Sequence, residues 1–561
     1  MPAVSAPTIP DGWPAIPEPE PETGVQLAGL THLRHIADEQ AAAIATTATA
    51  APASAADSPV SRTLRPSPSA WWTLPAILAV QAALSLRLIW SMGAYGDEGL
   101  YIWAGHVEWS AWLHGGSLPN FASYFSGAPV VYPPLAALAD SAGGLVATRL
   151  LSLAFMMGAT GLLYLTARRI FNQRTGLCAA VVFVGTGASQ FLGAFATFDS
   201  MAVFFLALST WAGVRAAEQP SWWRRTPVLM LVGLLLAMAD AAKYVTLLFD
   251  PAVVLVAGCW AWRCRDSFRS GMASAATLAA SAAGTLGTAL YLAPAAYRTG
   301  IAFTTTGRQH GTAGAWQILL VAAGWSGAVI LLALVGVAAA FCAYHDRATR
   351  IMVIVLAGAA LVVPAMMARD HLFTSMFKHV GYGELFAAIP AGYVLASFTY
   401  AVPRAKRFAA ARALAVPVTV AGVIGFLLAG NQYLNIGPNF LHVQSALGTH
   451  NAIIAADDVD TTQYYVYNDA PSSRLYVIGP NPADKEQILY YDRRAGNAAL
   501  PAAIDHGYLT EVILSHYPLW AALDARVERD LESSGKYRLA MSVPYTADKR
   551  HLAYQVWVMT K

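Results

Sequence analysis

Charge is scarce in this chain. Only 12% of its 561 residues are Asp, Glu, Lys or Arg, against about 25% in an ordinary soluble protein. With 56% hydrophobic residues, that deficit excludes a solvated globular protein and points to a polytopic membrane protein. The net charge of +3 leaves no basic footprint for a nucleic acid. Cysteine is scarce as well. Cys178, Cys259, Cys264 and Cys342 lie in or beside apolar segments and none lies in the polar C-terminal region, which argues against a disulfide framework there. No His, Cys, Asp and Glu residues recur at metal-ligand spacing. No metal site is therefore predicted, and a divalent ion stays open. Residues 1–70 lack any long apolar run. They are rich in Pro, Ala, Ser and Thr, with acids between Glu18 and Glu22, and contain no apolar core of signal-peptide type. They read as a disordered cytoplasmic tail, with room for a short amphipathic helix over 25–46.

Long apolar runs fill the middle. A bilayer-crossing helix needs about 20 residues, and runs of that kind lie near 71–92, 145–166, 176–194, 200–216, 227–240, 244–262, 273–294, 316–343, 351–368, 384–401 and 414–432. The expected fold is thus a polytopic all-α membrane protein of about 11 transmembrane helices with a C-terminal extracytoplasmic α/β domain. Every second loop is basic: Arg168, Arg169 and Arg174, then Arg215, Arg224 and Arg225, then Arg263, Arg265 and Arg269, then Arg347 and Arg350, then Arg404, Lys406, Arg407 and Arg412. Cytoplasmic loops carry such an excess, so the N-terminus is expected inside and the C-terminus outside. The first outer loop, 93–144, holds Trp103, Trp109 and Trp112 and suits interfacial helices. Residues 433–561 show strand-like runs at Gln463–Tyr467, Arg474–Ile478, Val512–Ser515 and Ala553–Met559, with a helical stretch over Leu519–Ser533.

The chemistry-bearing residues gather on the outer side. Asp97 and Glu98 follow the first span directly, and Asp199 stands at the mouth of a later hairpin. Ionised carboxylates near hydrocarbon are costly and are usually kept for a site, although both motifs also suit helix N-termini. Lys243 interrupts two short apolar runs, a place where a lysine can also simply snorkel. Arg308 and His310 in one outer loop, and Lys378, His379 and Tyr382 in another, run against the positive-inside trend. A local need for cations explains them.

These residues stand in an order that resembles a known family. Asp97-Glu98 with Tyr101, Tyr132-Pro133-Pro134-Leu135, Arg149-Leu150 with Ser152, Ala167–Phe171 with Arg174, Phe195–Asp199, Ala241–Tyr244, and the cationic loop with Tyr382 before Pro390 are similar to the type C glycosyltransferases. The likeness is to the superfamily of the dolichyl-phosphate-mannose protein mannosyltransferases and aminoarabinose transferases, and it covers roughly residues 75–400. The resemblance implies transfer of a sugar, hexose or pentose, from a polyprenyl-phosphate donor to a lipid, glycan or protein acceptor. Transfer would occur at the extracytoplasmic face of a bacterial inner (cytoplasmic) membrane. It implies Asp97 as general base in an inverting displacement, with Glu98 and Asp199 beside it. Lys243, Arg308, Lys378 and the weaker candidate His379 would hold the donor phosphate, and Tyr101, Tyr132 and Tyr382 would line the substrate pocket. Two departures bear on the donor. Val131 and Tyr132 stand where the aminoarabinose transferases carry Glu-Lys, and Lys243-Tyr244-Val245 replaces the usual Lys-Gly-Pro. A transporter or lipid flippase is the first rival, and it would place charge at mid-membrane with paired broken helices. An inactive scaffold with a binding outer domain is the second.

Overall fold

The structure is a computed structural model. It describes residues 70–560 except 124, 308–309, 374, 402–406, 435–450, 470–473, 479–498, 518–519 and 548–549. The expected N-terminal tail, its amphipathic helix and the Arg308 assignment lie outside the described residues.

Each apolar run of the sequence is helical. The helices are α1 (Ala70–Ile89), α2 (Gly96–His114), α3 (Pro133–Ile170), α4 (Gln173–Gly185), α5 (Gly187–Leu192), α6 (Phe198–Ala217) and α7 (Trp222–Ala242). They continue as α8 (Asp250–Arg265), α9 (Phe268–Leu292), α10 (Ala295–Thr304), α11 (Ala315–Ala343), α12 (Arg347–Asp370), α13 (Met376–Ala401) and α14 (Arg407–Leu434). Among the described residues eight helical segments are long and apolar enough to cross a membrane. The chain is a multi-pass membrane protein, and α2 with the first turns of α3 falls in residues 93–144, between the first two apolar runs. Helix α10 is an element the sequence reading leaves as loop.

Three interruptions break the run of helices. Helix α3 bends at Gly143–Gly144, where Gly144 takes φ 66°, a left-handed conformation open to glycine. The expected single span 176–194 is instead broken into α4 and α5. Thr186 stops the first piece and caps the second, its hydroxyl accepting from the Ser189 N–H at 3.2 Å. The Gln190 side chain donates to the Gly185 carbonyl, so a carbonyl at the break keeps a partner, the condition for irregular backbone at membrane depth. The third break lies between α7 and α8. There Lys243 is extended and a 3₁₀ turn, Tyr244–Phe249, follows. Thr246 donates to Asp240 at 2.6 Å and to the Lys243 carbonyl at 2.8 Å. The segment between α2 and α3 braces the same turn, Ala128 N–H donating to Ala241 O at 2.7 Å and Tyr244 N–H to Ser126 O at 3.0 Å.

Helix α13 is the central post. It packs on α4, α11 and α12 and touches α5 and α6, and every residue from Lys378 to Ala396 is buried. A helix buried all round must be apolar all round or satisfy its polar groups, and of the exceptions here Lys378 and His379 lie against carboxylates while Glu384 accepts from the Ser326 hydroxyl.

The C-terminal domain is a five-stranded sheet with helices. Its strands are β1 (Ile453–Ala456), β2 (Arg474–Val477), β3 (Glu511–Leu514), β4 (Tyr537–Ala547) and β5 (Arg550–Met559), and its helices are α15 (Val459–Asp469), α16 (Ala499–Asp505) and α17 (Ala521–Ser534). The spatial order is β2-β1-β3-β5-β4, parallel across β2, β1 and β3 and antiparallel beyond. Strand-like Gln463–Tyr467 is a correction: it lies inside α15. Asp458 takes the Thr461 N–H, an N-cap that starts a helix. Tyr464, Tyr465 and Val466 are then all buried, which a two-sided strand pattern does not require. Strands β1 and β4 go unmarked in the sequence reading.

Candidate active site

Helix α2 opens with the Asp97-Glu98 pair, and the two acids part at once. Glu98 turns inward and is fully buried. Its Oε1 accepts from Arg149 Nε at 2.9 Å and from the Ala196 N–H at 2.8 Å, and its Oε2 accepts from Arg149 Nη2 at 2.6 Å and from the Tyr95 N–H at 3.1 Å. Arg149 uses its remaining donors on the carbonyls of Ile89, Met92 and Gly93 at 2.6–2.8 Å. This bidentate pair therefore ties the end of α1, the start of α2, the middle of α3 and the turn before α6. Glu98 has no free face for an acceptor. The sequence reading groups it with the acceptor machinery; the geometry makes it the group that fixes α2. A lone arginine inside a long apolar run, needing a buried partner, was the signal for this pair.

Asp97 turns the other way. Its side chain is 37% exposed, and its Oδ2 accepts from Lys378 Nζ at 2.7 Å. Lys378, only 2% exposed, also stands 3.6 Å from Asp199 Oδ2. Asp199 is completely buried at the first turn of α6. Tyr382 Oη donates to it at 3.0 Å and Thr197 Oγ1 at 3.0 Å, while His379 Nε2 lies at 3.6 Å and Lys243 Nζ at 3.9 Å. Lys243 in turn donates to Ser126 Oγ at 2.5 Å. The α7–α8 break thus contributes Lys243 to a point where α2, the start of α6, α13 and the segment between α2 and α3 also meet.

The expected residues therefore fall into two groups. Asp97, Asp199, Lys243, Lys378, His379 and Tyr382 form one cluster at one end of the bundle. Tyr101 and Tyr132 are buried and pack on Phe198, with ring centroids 4.4 and 5.4 Å away, and Tyr101 also hydrogen-bonds Ser126, the partner of Lys243. Ser126 and Thr197 complete the cluster, although neither stands out in sequence. One carboxyl lies deeper: Glu384, fully buried in α13, accepts from Ser326 of α11 at 3.0 Å. Among the described residues no group of three or more His, Cys, Asp or Glu is placed to hold a metal ion.

The arrangement keeps one carboxylate accessible and one sealed, joined by a lysine. The accessible acid can take a proton from an incoming hydroxyl. The lysines present fixed ammonium groups in a dry setting, where they stabilise charge developing on an oxyanion.

Residues 135–291 match the family model described as dolichyl-phosphate-mannose-protein mannosyltransferase. No curated protein matches the chain. Among solved structures, ArnT from Cupriavidus metallidurans bound to undecaprenyl phosphate is similar at 13% identity and TM-score 0.56, over 87% of this chain and 98% of that one. The apo state of the same protein gives 13% and 0.54 with the same coverage. AglB from Archaeoglobus fulgidus, in complex with an inhibitory peptide and a dolichol-phosphate, is similar at 11% identity and TM-score 0.51, over 86% and 74%. The fold is that of ArnT and AglB. The resemblance drawn from the motifs is thereby borne out at the level of fold, and the family model covers its central part.

Proposed function

We propose that this protein is an integral-membrane glycosyltransferase that moves a sugar from a polyprenyl phosphate to an acceptor hydroxyl at the extracytoplasmic face. The observation that carries this reading is Lys378 held between the accessible Asp97 and the sealed Asp199. The lipid phosphates in the ArnT and AglB structures support the donor class.

The acceptor oxygen attacks the anomeric carbon as Asp97 removes its proton, a role suited to the one carboxylate of the cluster with an open face. The bond from the anomeric carbon to the phosphate oxygen breaks, and its electron pair stays on that oxygen. Lys378 and Lys243 face the charge that develops there, with His379 beside them and Arg308 as a further cation. A single in-line displacement inverts the anomeric centre. Asp199 holds the two lysines and His379 in place, and Glu98 fixes α2 through Arg149. Whether a hexose or a pentose moves depends on the pocket around the sugar. In this reading residues 1–70 face the cytoplasm and residues 433–561 the outside, in the bacterial inner membrane, because the basic loops alternate with the loops that carry the site.

The test is a panel of polyprenyl-phosphate sugars offered to the purified full chain in lipid nanodiscs. Release of free polyprenyl phosphate with one donor, coupled to a glycosylated product, supports the reading. No donor consumed under conditions where the protein is folded removes it.

A further inference from the structure

Helix α15 of the C-terminal domain lies against α2, the helix that carries Asp97. The approach is close: a side chain on Gly99 would meet the Asp460 carbonyl oxygen at 2.8 Å and Tyr464 Cβ at 3.2 Å. The seam is polar as well as tight. Tyr465 Oη accepts from the Ala94 N–H at 2.7 Å, and Tyr464 Oη donates to Asp140 at 2.7 Å. Asp140 also pairs with His106 at 2.8 Å, and the His106 ring stacks on Tyr467 with centroids 5.0 Å apart. The seam fixes the start of α15 over the start of α2, so that Asp460 Cβ lies 3.6 Å from where a side chain on Gly96 would begin. Asp460 is half-buried and within electrostatic range of both Asp97 and Tyr101. Among the described residues no group donates a hydrogen bond to its carboxylate.

The site is consequently polarised. On the membrane side stand Lys243, Lys378 and His379 around Asp199. On the side of the C-terminal domain stand Asp97 and Asp460, with Asp458 behind. An anionic group arriving from the membrane meets ammonium groups, while one arriving past α15 meets carboxylates.

We propose that Asp460 is a specificity-determining residue contributed by the C-terminal domain, selecting a neutral or cationic hydroxyl-bearing acceptor group over one that carries a phosphate. This rests on the glycosyl-transfer reading and names the acceptor class for the same site. Burial, Asp458 and Asp97 together push the Asp460 carboxyl up to about 7. A cation beside Asp460 and Asp97 relieves that like-charge contact, a hydroxyl donates a hydrogen bond to a carboxylate without adding negative charge, and a phosphate aggravates the contact.

The test reads the field without turnover and then the turnover itself. Tyr95, partly exposed beside Asp97, is replaced by Cys in the full chain. Its modification by a trimethylammonium and by a sulfonate methanethiosulfonate is followed by mass spectrometry. The cationic reagent should react about tenfold faster, the low end of electrostatic steering, and Asp460→Asn should lower that ratio by roughly threefold or more. A ratio unmoved by Asp460→Asn overturns the proposal. With a neutral alkyl glycoside and its phosphorylated counterpart as acceptors, Asp460→Asn should narrow the preference for the neutral one while the donor KM stays constant. An unchanged preference also overturns it. Should Asp460→Asn fold poorly, Gly96→Cys with Asp460→Cys tests the placement directly, because a Cβ separation of 3.6 Å falls within disulfide range. Failure of that pair to cross-link overturns the proposal. Wild-type protein that transfers from no donor, with the labelling ratio as expected, overturns the reaction and leaves the charge placement standing.

Discussion

In the site's ion pairs within the bundle carboxylates face cations, Glu98 facing Arg149 and Asp199 facing Lys243, Lys378 and His379, while Asp240 and Asp250 at the α7–α8 break share a hydrogen bond with each other. In the C-terminal domain the carboxylates face one another. Asp457 and Asp524 share a hydrogen bond, and Asp458 stands between Asp457 and Asp460 in the chain. The difference follows from the partners at hand. A buried ionised group is tolerable only with a partner of opposite charge. A buried acid crowded by other acids has another route: it keeps its proton. Asp458 is pushed up to about 6 and Asp460 to about 7, each by burial first and by a neighbouring carboxylate second, and Asp524 is pushed up as well. The same residue type thus does two jobs: it anchors geometry in the bundle and sets a tunable field at the mouth.

Breaking a pair in the bundle should cost most. Arg149→Met leaves Glu98 buried without its partner and should destabilise the fold by about 3–5 kcal/mol, seen as a large fall in melting temperature of the detergent-solubilised chain. Arg149→Met combined with Glu98→Met should recover a substantial part of that loss. A double variant no better than the single one would mean that the pair is not what holds α2. Asp97→Asn should behave in the opposite way, leaving the melting temperature near wild type and lowering turnover by about 10²–10⁴-fold. Near-normal turnover would remove Asp97 as the base. Next in size, Lys243→Met should weaken donor binding and slow transfer with little change in acceptor KM. An effect confined to the acceptor would break the division of the site into a cationic donor side and an acidic acceptor side. The smallest effect belongs to the acid mouth. Asp458 and Asp460 hold their protons to higher pH folded than unfolded, where a carboxyl titrates near 3.8. Their contribution is therefore most favourable below about pH 4 and is lost as pH rises through 6 to 7. Asp460→Asn should flatten that part of the profile, raising the melting temperature at pH 8 and leaving it unchanged at pH 4. An identical rise at both pH values would mean that Asp460 acts through something other than its charge.

Much of this was legible in the sequence because it is local. Hydropathy marks the long apolar helices one by one, although it runs α4 and α5 together as 176–194 and gives no run for α2 or α10. Asp97, Asp199, Lys243 and Lys378 stand out as charges at the mouths of apolar runs. What was not legible is non-local. Lys378 reaches Asp97 across 281 residues and Tyr382 reaches Asp199 across 183, and no periodicity encodes such a meeting. Glu98 and Asp97 are neighbours of the same chemical type, so sequence cannot say which one turns inward. Only the position of Arg149 on the next helix decides it. In Gln463–Tyr467 an aromatic, β-prone run became a helix because the cap at Asp458 and the docking on α2 outweigh intrinsic preference.

The shared lysine also constrains how the protein is made. Asp97 leaves the ribosome 281 residues before Lys378, whereas Glu98 precedes Arg149 by only 51. During synthesis the Glu98 staple is therefore completed as soon as α3 enters the bilayer, which gives the growing chain a sealed amino-terminal hairpin. Asp199 can meet Lys243 once α7 and α8 are made, but Asp97 must wait as an unmatched negative charge until the central post α13 brings Lys378. The biogenesis of the site thus has two stages, an early brace that needs only the first helices and a late neutralisation that admits α13 as the closing piece. A nascent chain stalled between them carries an exposed electrostatic flaw by which an unfinished protein can be told from a finished one.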